Sequence, residues 1–216
     1  LGKLRTLTVD ERLLFATRTV RLFAYGFLSV VLVLYLAQVG LSEWQIGLLL
    51  TLTLVGDTLI SLWITTNADQ IGRRNMLMLS AGLMLLAGLL FAFTGNFILL
   101  LFAATIGVIS PSGGEVGPFL AIEQAALAQT VASHQRTSVF AWYNLVGSFA
   151  TALGALLGGS LVQGLQGLQV PTVASYRTVI VTYAVLGIVL GFMFLRMSPA
   201  TEANHLGADR PRTRGF

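Results

Sequence analysis

Two apolar runs, Gln45 to Thr66 and Met76 to Thr94, are each long enough to cross a bilayer, and only the stretch Asn67-Ala68-Asp69-Gln70-Ile71-Gly72-Arg73-Arg74-Asn75 separates them. A membrane-spanning helix takes about 20 apolar residues. So short a link makes the two spans antiparallel neighbours. Its two arginines tend to hold it on the cytoplasmic side.

The rest of the chain repeats this pattern. Only 10% of its 216 residues are charged and 55% are hydrophobic, whereas a soluble domain carries about 25% charged residues. The deficit marks an integral membrane protein of all-α class. Cysteine is absent, which excludes disulfides and thiol metal sites and says nothing of redox compartment. The net charge of +4 does not point to nucleic acid, because the basic residues sit between apolar spans. No cleavable leader is evident: the first apolar segment is too long for a signal core.

Six spans are expected, at about 13–39, 45–66, 75–94, 97–120, 137–162 and 178–195, with a polar lead at 1–12 and a disordered tail or linker at 196–216. Arg18 and Arg21 lie in the opening turns of the first span. They are read as snorkelling to headgroups, or, for Arg21, as turning inward towards an anion, with Tyr25 and Ser29 following on its face. Ser42 and Gln45 form a capping box at the start of the second span. Asp57 falls about 18 Å into that span at 1.5 Å per residue, sharing a face with Thr53, Ser61 and Thr65. An ionisable group at that depth should face the bundle or a wet cavity, as a functional group or a hydrogen-bonded structural one.

The third and sixth spans are nearly free of polar groups and suit the edge of a bundle. The fourth runs into Ser110-Pro111-Ser112-Gly113-Gly114-Glu115-Val116-Gly117-Pro118, a composition that breaks a helix. Broken helices mark substrate and ion sites in transporters. Ala121 to Arg136 reads as an amphiphilic connector whose His134 is solvated. In the fifth span Asn144, Ser148 and Thr151 form a polar stripe, while Gly147, Gly154, Gly158 and Gly159 form a small-residue face for tight helix packing. With both ends cytoplasmic, every Lys and Arg except Arg177 falls in or beside a cytoplasmic segment, a strong positive-inside signal.

The residues from Asn67 to Leu77 resemble the loop signature of the major facilitator superfamily: Asp69, Gly72, Arg73, Arg74 and Leu77 match, while Asn67 and Thr65 depart from it. Gly154, Gly158 and Gly159 resemble that family's fifth-span antiporter motif, with Ala150 and Ala155 in place of a glycine and the proline. Gly107 fits a fourth-span motif, but Ala103 stands where its arginine belongs. The resemblance covers the whole chain and implies the N-terminal six-helix half of a twelve-helix secondary transporter. It also implies a cytoplasmic latch of Asp69, Gly72, Arg73 and Arg74, with Glu123 and Arg136 flanking the next cytoplasmic loop; Glu123 is the expected partner of Arg73 or Arg74.

The expected function is therefore movement of a small solute across the bilayer, in a plasma (inner) membrane, by rocking two bundles about a midplane site. Arg21, Tyr25, Asp57, Glu115 and Asn144 are the substrate or proton candidates, with Asp57 or Glu115 the possible carrier of a coupling proton. The missing half is expected in the same chain or in a second copy. Proton-coupled drug or metabolite efflux and a truncated, non-transporting membrane protein are the alternatives. No metal-ligand cluster, cofactor motif or serine–histidine–acid set points to an enzyme.

Overall fold

A computed structural model describes residues 9–107, 109–110, 118–131 and 133–197, with backbone alone for 9–10, 68–70, 118 and 129–130. The sequence-derived assignments at Glu115, at the Asp69 side chain and in the tail beyond 197 lie outside these described residues, as does most of the expected break at 111–117.

The described elements are α1 (Val9–Gln38), α2 (Glu43–Ile71), α3 (Arg73–Phe93), α4 (Phe97–Ile106), α5 (Pro118–Thr130), a 3-10 turn (Ser133–Gln135), α6 (Arg136–Gly167) and α7 (Thr172–Leu195). Five of them, α1, α2, α3, α6 and α7, are long and apolar enough to cross a membrane. The expected fourth span, 97–120, is instead two shorter helices, and most of the stretch read as a connector is α5. The reason is visible in the buried positions. Phe119, Ile122, Glu123, Ala126 and Leu127 recur at helical spacing and give α5 one inward face.

Local chemistry sets several of the helix ends. Ser42 and Gln45 exchange the expected capping-box bonds: the Ser42 N–H donates to Gln45 Oε1 at 2.9 Å and the Gln45 N–H to Ser42 Oγ at 3.3 Å. Asn96 caps α4, its Oδ1 accepting from the Ile98 and Leu99 amides, which satisfies donors that a helix start otherwise leaves bare. The loop between α2 and α3 shrinks to a single residue. Helix α2 continues through the polar stretch to Ile71, and Gly72 turns the chain with φ +102°, a backbone conformation that glycine adopts without a Cβ penalty.

Helix packing follows the small residues. Helix α1 packs most extensively on α6, and α3 on α7. At Gly154 an added Cβ would strike the Phe23 carbonyl, at Gly158 the Phe27 carbonyl, and at Gly147 Leu22 and the Arg18 guanidinium. On the facing helix a Cβ at Gly26 would strike the Thr151 carbonyl. Gly159 does not belong to this seam, because a Cβ there meets nothing closer than Val30 at 4.0 Å. The edge assignment of the third and sixth spans also needs amending. Helix α3 buries ten residues, from Arg73 to Ala92, and a Cβ at Gly88 would meet Ala184 of α7 at 2.8 Å. These helices lack polar groups because they are stapled to one another as well as bathed in lipid.

Candidate functional site: a buried charge cluster on three helices

Arg18 and Arg21 do not snorkel. They are 4% and 0% exposed, on the same inward face of α1 as Thr17 and Tyr25. Arg21 lies ten residues past Glu11, where the apolar part of the helix begins, or about 15 Å along its axis. Two cations at that depth require partners, and α5 and α6 supply them.

Arg21 meets Glu123 of α5 through both carboxylate oxygens: Nη1 lies 2.9 Å from Oε1, and Nη2 donates to Oε2 at 2.9 Å. Both side chains are fully buried. The Arg21 guanidinium also sits 4.7 Å from the centroid of the Phe119 ring, one helical turn before Glu123. Thr17 donates to Glu123 Oε1 at 3.1 Å, and the Tyr143 hydroxyl of α6 donates to Oε2 at 2.6 Å. Arg18 turns towards α6. Its Nη2 donates to Asn144 Oδ1 at 3.0 Å, and its guanidinium lies 4.0 Å from the centroid of the Tyr143 ring. Tyr143 thus touches one cation with its π face and the carboxylate with its hydroxyl, closing a loop through α1, α5 and α6.

Glu123 is therefore held by Arg21, Thr17 and Tyr143, not by Arg73 or Arg74 as the latch reading expected. Arg73 is buried in the first turn of α3. Arg74 donates to the Leu195 carbonyl at the end of α7 at 2.6 Å. Arg136, at the start of α6, donates to the Val131 carbonyl at 3.4 Å. The sequence reading missed Thr17 and Tyr143, whose only local signal was helical proximity to Arg21 and Asn144.

A second polar centre lies on α2. Asp57 is 2% exposed, and among the described residues neither carboxylate oxygen has a hydrogen-bond partner. Ser61 Oγ, one turn on, is also buried and unpartnered, whereas Thr53 Oγ1 bonds back to the Leu49 carbonyl. Tyr25 of α1 and Tyr183 of α7 are also fully buried. Of the predicted substrate and proton residues, Arg21 and Asn144 belong to the first cluster, while Tyr25 and Asp57 are buried outside its hydrogen bonds. Two shallow grooves of about 240 and 270 Å³, between α3 and α7 and between α1 and α6, have almost wholly apolar linings. They suit lipid chains better than a polar solute.

The description of the Major Facilitator Superfamily matches residues 14–214. An uncharacterized membrane protein of Saccharomyces cerevisiae is 40% identical over 202 residues, a match that takes in 93% of this chain and 45% of the yeast protein. The chain thus spans under half the length of that curated relative.

Proposed function

The chain belongs to the Major Facilitator Superfamily, a family of membrane transporters, and on that premise we propose that it is the N-terminal bundle of a longer secondary transporter that moves a small solute by alternating access. The observation that carries this reading is the Arg21–Glu123 pair, fully buried and shared between α1 and α5. Removing two charges from water generally costs more than their mutual attraction returns. Ionisable groups inside membrane segments accordingly tend to mark substrate paths or moving parts. This pair joins separate helices, so relative motion of α1 and α5 must break or repartner it. Asn144, which accepts from Arg18, and Ser148 one turn on are exposed on α6, where a solute could approach.

Three features support the wider assembly. Helices α2 and α6 leave most of their surface uncovered within this chain, as helices that meet a second bundle would. We count α4 and α5 as one crossing in two pieces, which restores six crossings and an even topology. The distribution of basic residues favours both ends of this bundle on the cytoplasmic side, which would put Asp69, Gly72, Arg73 and Arg74 at the cytoplasmic rim. The membrane we assign is the plasma (inner) membrane.

The test uses the full-length protein. A thermal-shift screen of small solutes identifies a stabilising compound, and its uptake is then measured in liposomes. Wild type should accumulate it and E123Q should not. No uptake of any stabilising solute, with cysteine labels that report one fixed accessibility throughout, would remove the transporter reading.

A further inference from the structure

We propose that the groove between α3 and α7 is a binding site for one anionic phospholipid, with an acyl chain lying along the groove and the phosphate held by Arg74 and Arg196. The inference goes beyond the transporter reading and does not depend on it, because it concerns the outer side of the bundle and not a solute path.

The groove is made by missing side chains. Gly82 of α3 and Gly191 of α7 both line it, and a Cβ added at either would meet no atom within 4 Å. At Gly187 a Cβ would lie 3.2 Å from the Leu85 amide nitrogen, so the two helices close up there and part towards Gly191. Met78 and Leu85 on one wall, with Phe192 on the other, complete a trough of about 240 Å³. Phe192 and Leu195 are exposed among the described residues, so the trough opens sideways, where a membrane protein meets lipid. Its almost wholly apolar lining gives a methylene chain many weak contacts and a polar solute no partners.

Positive charge sits at one end of this trough. Arg74 precedes Met78 by four residues and Arg196 follows Phe192 by four, so each arginine continues the groove-lining face of its own helix by one turn. The two helices meet at the mouth: Arg74 donates to the Leu195 carbonyl at 2.6 Å, and Arg196 is the next residue. Arg74 is partly exposed and Arg196 is exposed. From Arg74 to Leu85 is eleven residues, or about 16 Å along α3. One leaflet of a bilayer's hydrocarbon core is about 15 Å deep. The trough is therefore one leaflet deep, with its closed end at Leu85 and Gly187 and its cations at headgroup level.

A phospholipid with net negative charge uses both parts. A free phosphate would gain only the solvent-screened ends of two arginines. A zwitterionic lipid would fill the trough but bring a cation of its own against them. The planar guanidinium fork matches phosphate oxygens, and basic pockets between helices on the cytoplasmic side are where anionic headgroups seat. The distribution of basic residues favours that side for this end of the bundle. Bound there, the lipid bridges the α2–α3 turn and the last turn of α7.

The test is native mass spectrometry of the delipidated full-length protein. It is titrated with phosphatidylserine, with phosphatidylcholine of identical chains, and with glycerol phosphate as a headgroup without chains. Wild type should bind one phosphatidylserine in preference to phosphatidylcholine and should not take up glycerol phosphate over the same range. An arginine near the membrane surface contributes a factor of about 5 in affinity for an anionic lipid. R196Q, which spares the Arg74–Leu195 contact, should therefore reduce the preference about fivefold, and R74Q/R196Q about 25-fold. G191L fills the trough from α7 and G82L fills it from α3, so each should weaken binding of both lipids. The proposal falls if wild type binds the two lipids alike, or if glycerol phosphate displaces phosphatidylserine as well as intact lipid does. It also falls if the preference survives in R74Q/R196Q, which would put the lipid elsewhere, or if folded G191L and G82L both bind phosphatidylserine as wild type does.

Discussion

The Tyr143 hydroxyl donates to Glu123 Oε2 at 2.6 Å while the ring of the same tyrosine lies 4.0 Å from the Arg18 guanidinium. One side chain on α6 therefore reads the charge of α5 and the charge of α1 together. A hydrogen bond to a buried carboxylate contributes about 1.5–3 kcal/mol, more than most single contacts between membrane helices. Tyr143→Phe keeps the ring over Arg18 and removes only the hydroxyl. It should lower unfolding stability in detergent by about 1.5–3 kcal/mol, whereas Tyr143→Leu, which loses both contacts, should cost more. Equal losses for the two variants would show that the ring contact with Arg18 contributes nothing, and an unchanged stability in Tyr143→Phe would show that the hydroxyl contributes nothing.

The Arg21–Glu123 pair permits a sharper experiment. Removing one partner strands a buried charge and should cost about 3–5 kcal/mol, but replacing both with apolar residues of similar volume is often neutral or stabilising. Arg21→Met and Glu123→Leu should each reduce the yield and melting temperature of the folded protein. The double variant should recover most of that stability. If the double variant is as unstable as the worse single one, the pair is held for more than charge balance.

What the sequence disclosed of this architecture, and what it hid, divides by range. Helix type, the approximate spans and the capping box at Ser42 were legible because they rest on local periodicity and spacing. Gly154 and Gly158 were legible because two glycines four apart share a face. Their counterpart Gly26 stands alone among aromatic residues, and nothing on its own helix announces that Thr151 will press against it. Glu123 was visible as a charge but not as the partner of Arg21, since the two are 102 residues apart and no local pattern couples them. Helix α5 was obscured by its glutamines: Gln124 and Gln129 made the segment read as a connector, although the inward face from Phe119 to Leu127 is regular. The inward face of Asp57 was legible from the cost of turning an ionisable group to lipid, and the side chain is buried; its lack of hydrogen-bond partners among the described residues is a tertiary fact.

The α1–α6 seam should discriminate between glycines on the same helix. Gly154→Ala puts a methyl group against the Phe23 carbonyl, and Gly159→Ala puts one into open space. Overpacking of this kind costs about 1–3 kcal/mol, while a glycine replaced by alanine inside a helix is otherwise favourable by about 0.5–1 kcal/mol. Gly154→Ala should therefore destabilise and Gly159→Ala should be neutral or slightly stabilising, as read by thermal unfolding of the purified protein. A larger loss at Gly159 than at Gly154 would contradict the helix register described.

The contact from Arg74 to the Leu195 carbonyl, at 2.6 Å, ties the α2–α3 turn to the end of α7. The last carbonyls of a helix lack intrahelical donors, and a cation there is favourable by about 0.3–1 kcal/mol. Arg74 is partly exposed, so solvent screening keeps its contribution towards the lower end of that range. Gly72, with its positive φ, aims the arginine by turning the chain in a single residue. Two variants should therefore share a phenotype. Arg74→Ala removes the donor, and Gly72→Ala strains the turn that presents it. In both, hydrogen exchange at the Phe194, Leu195 and Arg196 amides should quicken by a factor of about 2–5, the range those energies allow, while amides in the middle of α7, around Gly187, stay unchanged. Faster exchange along the whole of α7 would mean that Arg74 supports the packing of the helix as a unit; no change at its last turn would mean that the carbonyl is served equally well by water.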